Sequence, residues 1–290
     1  MGLADEFANS AERGGAQCAV IDGRSRLSFA ELARCAGAAS QWLLDLGVQA
    51  GDRIVMQFTN SVEAAIVVWA VLRAGAVLVP VHSNARTPEM REILDDCGAS
   101  FAILGMDQAR QAPEIAAAEA GRCQVIVLSA GPGQRASVNG SIRHWTLEEL
   151  ACAGSIRPPA RIPDESLAAI QYPSGSTGSP KGVMLSHANM RAALRAVNAY
   201  LELSASDTIY SPLPLSSSYG LYQLVMGLAI GATVVLDRSF AFPAKSLELM
   251  ATERATVFAG VPTMYAWLAR STILGRFDLS SLRILTSAAA

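Results

Sequence analysis

Between residues 28 and 104 the chain repeats one unit, a helical run stopped by glycine and followed closely by a short β-branched run, and this rhythm admits few folds. Ser28 with Glu31 three positions on is a capping-box signature, and the apolar-periodic run behind it reaches Leu46 before Gly47 ends it. The pattern then predicts a strand over 53–57, a nearly all-apolar helix over 62–73 started by Ser61 and stopped by Gly75, and a strand over 76–80. A helix apolar on all sides must be buried. Thr87, Pro88 and Glu89 read as N-cap, first-turn proline and first-turn acid of a helix ending near Gly98, ahead of a strand over 101–104. Strands joined through helices by such short loops lie parallel, so the chain is expected to be α/β with mainly parallel, doubly wound sheets flanked by helices.

The rhythm breaks at 130–140 and 154–163, which are rich in glycine and proline, and resumes with strands near 168–172, 208–210, 233–236, 256–259 and 282–285. Two stacked lobes are therefore expected, 1–165 and 166–290. A length of 290 residues agrees, at roughly 150 residues per domain. The last strand runs into Thr286 to Ala290 with no closing helix, so the second lobe reads as incomplete. The stretch 208–236 has no charged residue, but Pro212, Pro214, Gln223 and Gly231 make it a buried helix and strand, not a membrane span. Asp5 and Glu6 exclude a basic secretory leader.

Composition removes other classes. With 51% hydrophobic and 17% charged residues the chain buries a substantial core, and a net charge of −2 without a basic run is not the footprint of a nucleic-acid binder. Five scattered cysteines, none spaced as CxxC, fit reduced core thiols in a cytoplasmic protein. Three histidines outside any ligand cluster give no zinc set, and no metal site is expected from these residues.

One segment carries chemistry. Tyr172-Pro-Ser-Gly-Ser-Thr-Gly-Ser-Pro-Lys-Gly-Val183 follows a predicted strand and precedes a helix capped by Ser186. Glycines let backbone N–H groups approach an anion, hydroxyls donate to it, and Lys181 adds a point charge, so Ser174, Gly175, Ser176, Thr177, Gly178, Ser179 and Lys181 form a candidate phosphate cradle. It is not a Walker A loop, because Pro180 precedes Lys181 and Gly182 follows it. His187, just beyond, reads as a first-turn helix residue.

At these residues the chain resembles the adenylate-forming superfamily of acyl- and aryl-CoA synthetases, luciferase and peptide adenylation domains. The family's loop is Tyr-Thr/Ser-Ser-Gly-Thr-Thr-Gly-x-Pro-Lys-Gly-Val, from which Pro173 and Ser176 are mild departures. The likeness extends through Leu27 to Leu32, Gly51 to Val55, Gly75 to Pro80, Pro212 to Leu221, Gly260 to Tyr265 and Leu282 to Leu285. It implies an acyl-CoA synthetase N-terminal-domain-like fold, truncated here. It also implies that Ser174, Ser176, Thr177 and Lys181 hold the outer phosphates of ATP, with Thr177 and Lys181 the catalytic pair. A carboxylate then attacks the α-phosphate, and a thiol of coenzyme A or of a carrier protein's phosphopantetheine displaces AMP.

By the same resemblance Ser217, Tyr219, Gly220, Val261, Pro262, Thr263 and Tyr265 line the acyl pocket, while Ser287, Ala288 and Ala289 form a wall of the nucleotide pocket. Ser217 stands where the family often has histidine, and Ala288 where it has glycine. Amino-acid-activating members of that superfamily carry an aspartate in this region for the substrate ammonium, and none lies between Asp207 and Asp237, so the resemblance implies a carboxylic acid without an α-amine, fatty or aryl. The resemblance implies that the Mg²⁺-linked glutamate and the mobile C-terminal domain fall beyond this length, leaving the chain alone inactive. Two other readings stay open: a phosphoryl-transfer enzyme using the same cradle, and a non-catalytic nucleotide- or partner-binding module.

Overall fold

The predicted βα units form, and they build two sheets that interleave along the chain. The structure is a computed structural model that describes residues 2–119, 122–129, 142–153, 161–173 and 180–288. The first sheet has six strands: β1 (Cys18–Ile21), β2 (Arg26–Ser28), β10 (Thr208–Ser211), β11 (Thr233–Leu236), β12 (Val257–Gly260) and β13 (Ile284–Ser287), ordered β13-β12-β10-β11-β1-β2. The second has seven: β3 (Arg53–Gln57), β4 (Val77–Val81), β5 (Phe101–Gly105), β6 (Gln124–Ser129), β7 (Ile142–Thr146), β8 (Leu167–Gln171) and β9 (Val183–Ser186), ordered β7-β6-β5-β3-β4-β8-β9. All pairs are parallel except β1–β2 and β8–β9, so each sheet ends on an antiparallel edge strand.

Sheet membership differs from the division expected at residue 165. Strand β8, expected to open the second lobe, pairs with β4, and β1–β2 join the later sheet through β11. The β1–β11 pairing spans more than two hundred residues, and hydrophobic period alone carries no information about which strand lies beside which.

Alternation along each strand separates the cores. In β3, Ile54 and Met56 face a central core while Val55 faces an outer one; in β11, Val234 and Leu236 face the central core and Val235 the opposite side. The central core lies between the sheets and is filled by α1 (Leu3–Gly14), α2 (Phe29–Asp45), α3 (Val62–Ala74) and α8 (Ser218–Ile230). In α3, Ile66, Val67, Val68 and Trp69 are almost wholly inaccessible, as its composition requires, and Phe7 stacks on Trp69 at 4.4 Å. Each such buried side chain contributes roughly 1.5–3 kcal/mol. Helices α4 (Thr87–Cys97) and α5 (Ala112–Ala118) cover the far face of the seven-stranded sheet; α9 (Pro243–Thr252) and α10 (Pro262–Arg270) flank the six-stranded one.

Local expectations transfer with small shifts. Ser28 caps α2 through a full capping box, Ser61 caps α3, and Gly75 and Gly231 end their helices at φ +78° and +93°. Thr87 is not an N-cap: the helix starts there, Arg86 precedes it, and the Thr87 hydroxyl bonds Gln111 Oε1 instead. The stretch 208–236 resolves into β10, α8 and β11, and among the described residues no helix is long and apolar enough to cross a membrane.

Candidate active site

The chemistry-bearing segment is the connection of an antiparallel hairpin. Strand β8 runs parallel to its neighbour β4, and at its carboxyl end the chain leaves Gln171, which pairs with Val183 of β9 on the return. Carboxyl ends of parallel strands are where open α/β sheets receive ligands. Ser174, Gly175, Ser176, Thr177, Gly178 and Ser179 lie outside the described residues; Lys181, at the neck, is exposed. Beyond β9, Ser186 caps α7 (His187–Leu201) with Asn189 in a reciprocal box. His187 is the first residue of that helix and fully buried; its Nδ1 accepts from the Leu3 amide at 3.5 Å, and burial lowers its pKa. A buried neutral imidazole serves packing, in keeping with its expected place.

A second group gathers where β12 and β13 end. Ser217 caps α8: its hydroxyl accepts from the Gly220 amide at 3.0 Å and donates to the Pro214 carbonyl at 2.8 Å. Gly220 permits this turn, because a Cβ there would lie 2.3 Å from the Pro214 carbonyl oxygen. Tyr219 reaches across to Thr286 on β13, hydroxyl to hydroxyl at 2.6 Å, and burial raises its pKa. Gly260 and Ser287 are register partners, which brings Val261, after β12, beside the end of β13.

Tyr265 points inward. Its hydroxyl donates to the Phe258 and Thr286 carbonyls at 3.0 and 2.8 Å, and its ring closes over Gly260, where a Cβ would sit 2.9 Å away. Pro262 and Thr263 begin α10 and are exposed; Thr263 lines an outer groove of about 590 Å³ with Trp267 and Arg270. Ala288 is exposed, and Ala289 lies outside the described residues. Tyr219, Gly220, Val261, Tyr265 and Ser287 are thus brought together, while Thr263 faces elsewhere.

Three supports of this region are hidden from sequence reasoning. Asn60, 4% exposed and following β3, donates from Nδ2 to the Leu213 and Asp237 carbonyls and accepts the Leu215 amide at Oδ1, tying the seven-stranded sheet to the segment that leads into Ser217. Tyr210 donates to Asp237, which also accepts Ser246. Asp207 accepts both Arg283 nitrogens, at 2.9 and 2.7 Å, and the Thr256 hydroxyl at 2.6 Å, fixing the approach to β13. Burial would raise the Asp207 pKa, but Arg283, Thr256 and the Ser204 amide hold it down at about 2. The partners of Asn60, and the Thr256 and Arg283 partners of Asp207, all lie far from their mates in sequence.

Among the described residues no three His, Cys, Asp or Glu side chains gather as a metal site. All five cysteines are free. Burial pushes Cys97 up to about 11 and Cys123 up to about 12, which leaves both as unreactive core thiols.

A two-sheet α/β body with a hydroxyl- and glycine-rich loop at a strand's carboxyl end defines a nucleotide-binding class, and comparison with known proteins places the chain within it. The profile of the AMP-binding enzyme family matches residues 7–290, and the chain belongs to that family. A feruloyl-CoA synthase from Amycolatopsis is 33% identical over 271 residues, 92% of this chain and 50% of that protein. The medium-chain fatty-acid–CoA ligase of Escherichia coli is 31% identical over 290 residues, 97% of this chain and 50% of its own. The solved structure of ATP-bound MatB from Rhodopseudomonas palustris superposes with a TM-score of 0.83 at 29% identity, covering 100% of this chain and 55% of that one. The chain spans about half the length of the curated relatives it matches.

Proposed function

We propose that this chain is the N-terminal part of an ATP-dependent enzyme that activates a carboxylic acid as its acyl-adenylate and passes the acyl group to a thiol. The observation that carries the reading is the Tyr172–Val183 segment, with its family signature, at the carboxyl end of β8. Ser174, Ser176, Thr177 and Lys181 hold the β- and γ-phosphates; Gly175, Gly178 and Ser179 let the backbone close on them. A carboxylate oxygen attacks the α-phosphorus, the bond from that phosphorus to the β-phosphate bridge breaks, and pyrophosphate leaves with the electron pair. Thr177 and Lys181 stabilise the charge accumulating on the departing oxygens. The sulfur of coenzyme A, or of an acyl-carrier phosphopantetheine, then attacks the acyl carbon and AMP departs.

The acid sits against Tyr219, Gly220 and Val261, with Ser217 capping the helix that presents them and Ser287 at the nucleotide side. Relatives named for feruloyl and fatty acyl substrates support an aryl or fatty acid. Five free cysteines, three of them buried, support a cytoplasmic setting. The 290 residues alone do not turn over, since the relatives are twice as long. Exchange of labelled pyrophosphate into ATP, driven by a panel of aryl and fatty acids, tests this. The full-length protein is expected to exchange with one acid class and to lose exchange on Thr177→Ala with Lys181→Ala; exchange with no acid refutes the reading.

A further inference from the structure

Tyr172 is held from outside the hairpin that carries it. Its hydroxyl donates to Asp96 Oδ2 at 2.5 Å, and Asp96 belongs to the last turn of α4, which packs on the far face of the seven-stranded sheet. A carboxylate is poorly placed there: the helix C-terminus carries partial negative charge, and no basic residue occupies that turn of α4. Its neighbour Asp95 meets Arg122 at 3.3 Å, whereas Asp96 turns to the phenol. Something other than helix stability accounts for Asp96.

The other side of Tyr172 supplies it. Gln171 and Val183 are register partners, so Tyr172 and Gly182 face each other where the hairpin opens. A Cβ on Gly182 would lie 3.1 Å from Tyr172 Cζ and Oη and 2.5 Å from Ile170 Cγ2, so the ring lies across residue 182 and tolerates only glycine. One side chain therefore precedes the connection, covers its far end and is tethered to α4. Burial, and then the bond to Asp96, raise the phenol's pKa and keep it a donor.

We propose that Asp96 and Tyr172 are positioning residues that fix the ends of the phosphate-binding connection, Pro173 and Lys181, through a latch of phenol, carboxylate and Gly182. This rests on the ATP-phosphate reading of that connection given above. The latch acts on how well ATP is gripped, not on the bond-making step.

The test uses the full-length protein as wild type, Tyr172→Phe, Asp96→Ala, Asp96→Asn and the Asp96→Ala/Tyr172→Phe double. Two quantities are followed at unchanged thermal midpoint: the KM for ATP against kcat in pyrophosphate exchange, and the rate of tryptic cleavage after Lys181. Loss of a hydrogen bond to a charged group predicts a rise of about tenfold in KM for Tyr172→Phe and for Asp96→Ala, with kcat within about twofold. The double should be no worse than either single, as one shared bond requires. Asp96→Asn, which still accepts through Oδ1, should rise only about threefold. Cleavage after Lys181 should accelerate in the same order. Additive effects, or an asparagine no better than alanine, overturn the proposal. Unchanged cleavage overturns it whatever exchange does; coupled cleavage in a protein with no exchange refutes the ATP reading and leaves the latch standing.

Discussion

Gly220 shows how much of the site depends on single atoms. Its hydrogen occupies the space that a methyl group would share with the Pro214 carbonyl, which is backbone and cannot yield as a side chain does. Gly220→Ala should cost about 1–3 kcal/mol, the usual range for overpacking, and displace the first turn of α8; a denaturant midpoint and the affinity for the acid would both record it. Asn60→Ala should cost roughly 2–3 kcal/mol, because two carbonyls and an amide lose their partner in a buried place. Chemical denaturation measures that loss directly. Gly220 was recognisable from its motif, but its reason was not, since the clash appears only once Pro214 has turned back. Asn60 carried no signal, because its partners lie some 150 residues away.

Among the elements, β13 is held by electrostatics at its approach. Asp207, Arg283 and Thr256 clamp its approach from β10 and β12, and the Asp207 pKa of about 2 lies below its ordinary 3.8. A depressed carboxylate pKa contributes stability that is fully present above 3.8 and is lost as pH falls through the range down to about 2. That contribution is about 2 kcal/mol, so thermal midpoints should fall over this window and Asp207→Asn should flatten the fall. Midpoints identical in wild type and variant from pH 5 to 2 would contradict it. The helices and strands with clear period, from α2 to β5 and from β10 to β12, were legible in the sequence. The short strands β1 and β2 were not, because they lie ahead of the helix–strand rhythm that marks the others and their partner β11 is remote. Helix α1 begins at Leu3 behind Gly2, which has no side chain to cap it, so the usual start signal is missing.

For the whole molecule, two interleaved sheets mean that neither half of the chain can form its sheet alone, so unfolding should be a single transition by calorimetry. The chain also leaves a face open. Helix α10 has no buried residue, its own Trp267 is 42% exposed, and Leu285 on the edge strand β13 is 61% exposed. Isolated residues 1–290 should therefore self-associate in sedimentation and bind an apolar dye, whereas the longer protein should shield Trp267 from quenchers. A monodisperse, dye-silent fragment would show that this face needs no cover. One oxygen atom can be followed from the acid to the nucleotide. The full-length protein is given ATP, the thiol acceptor and an acid whose carboxylate carries heavy oxygen, and the nucleotide product is weighed by mass spectrometry. Carboxylate attack on the α-phosphorus followed by thiol attack on the acyl carbon predicts AMP bearing one heavy oxygen. Unlabelled AMP, or ADP as the product, would contradict the account.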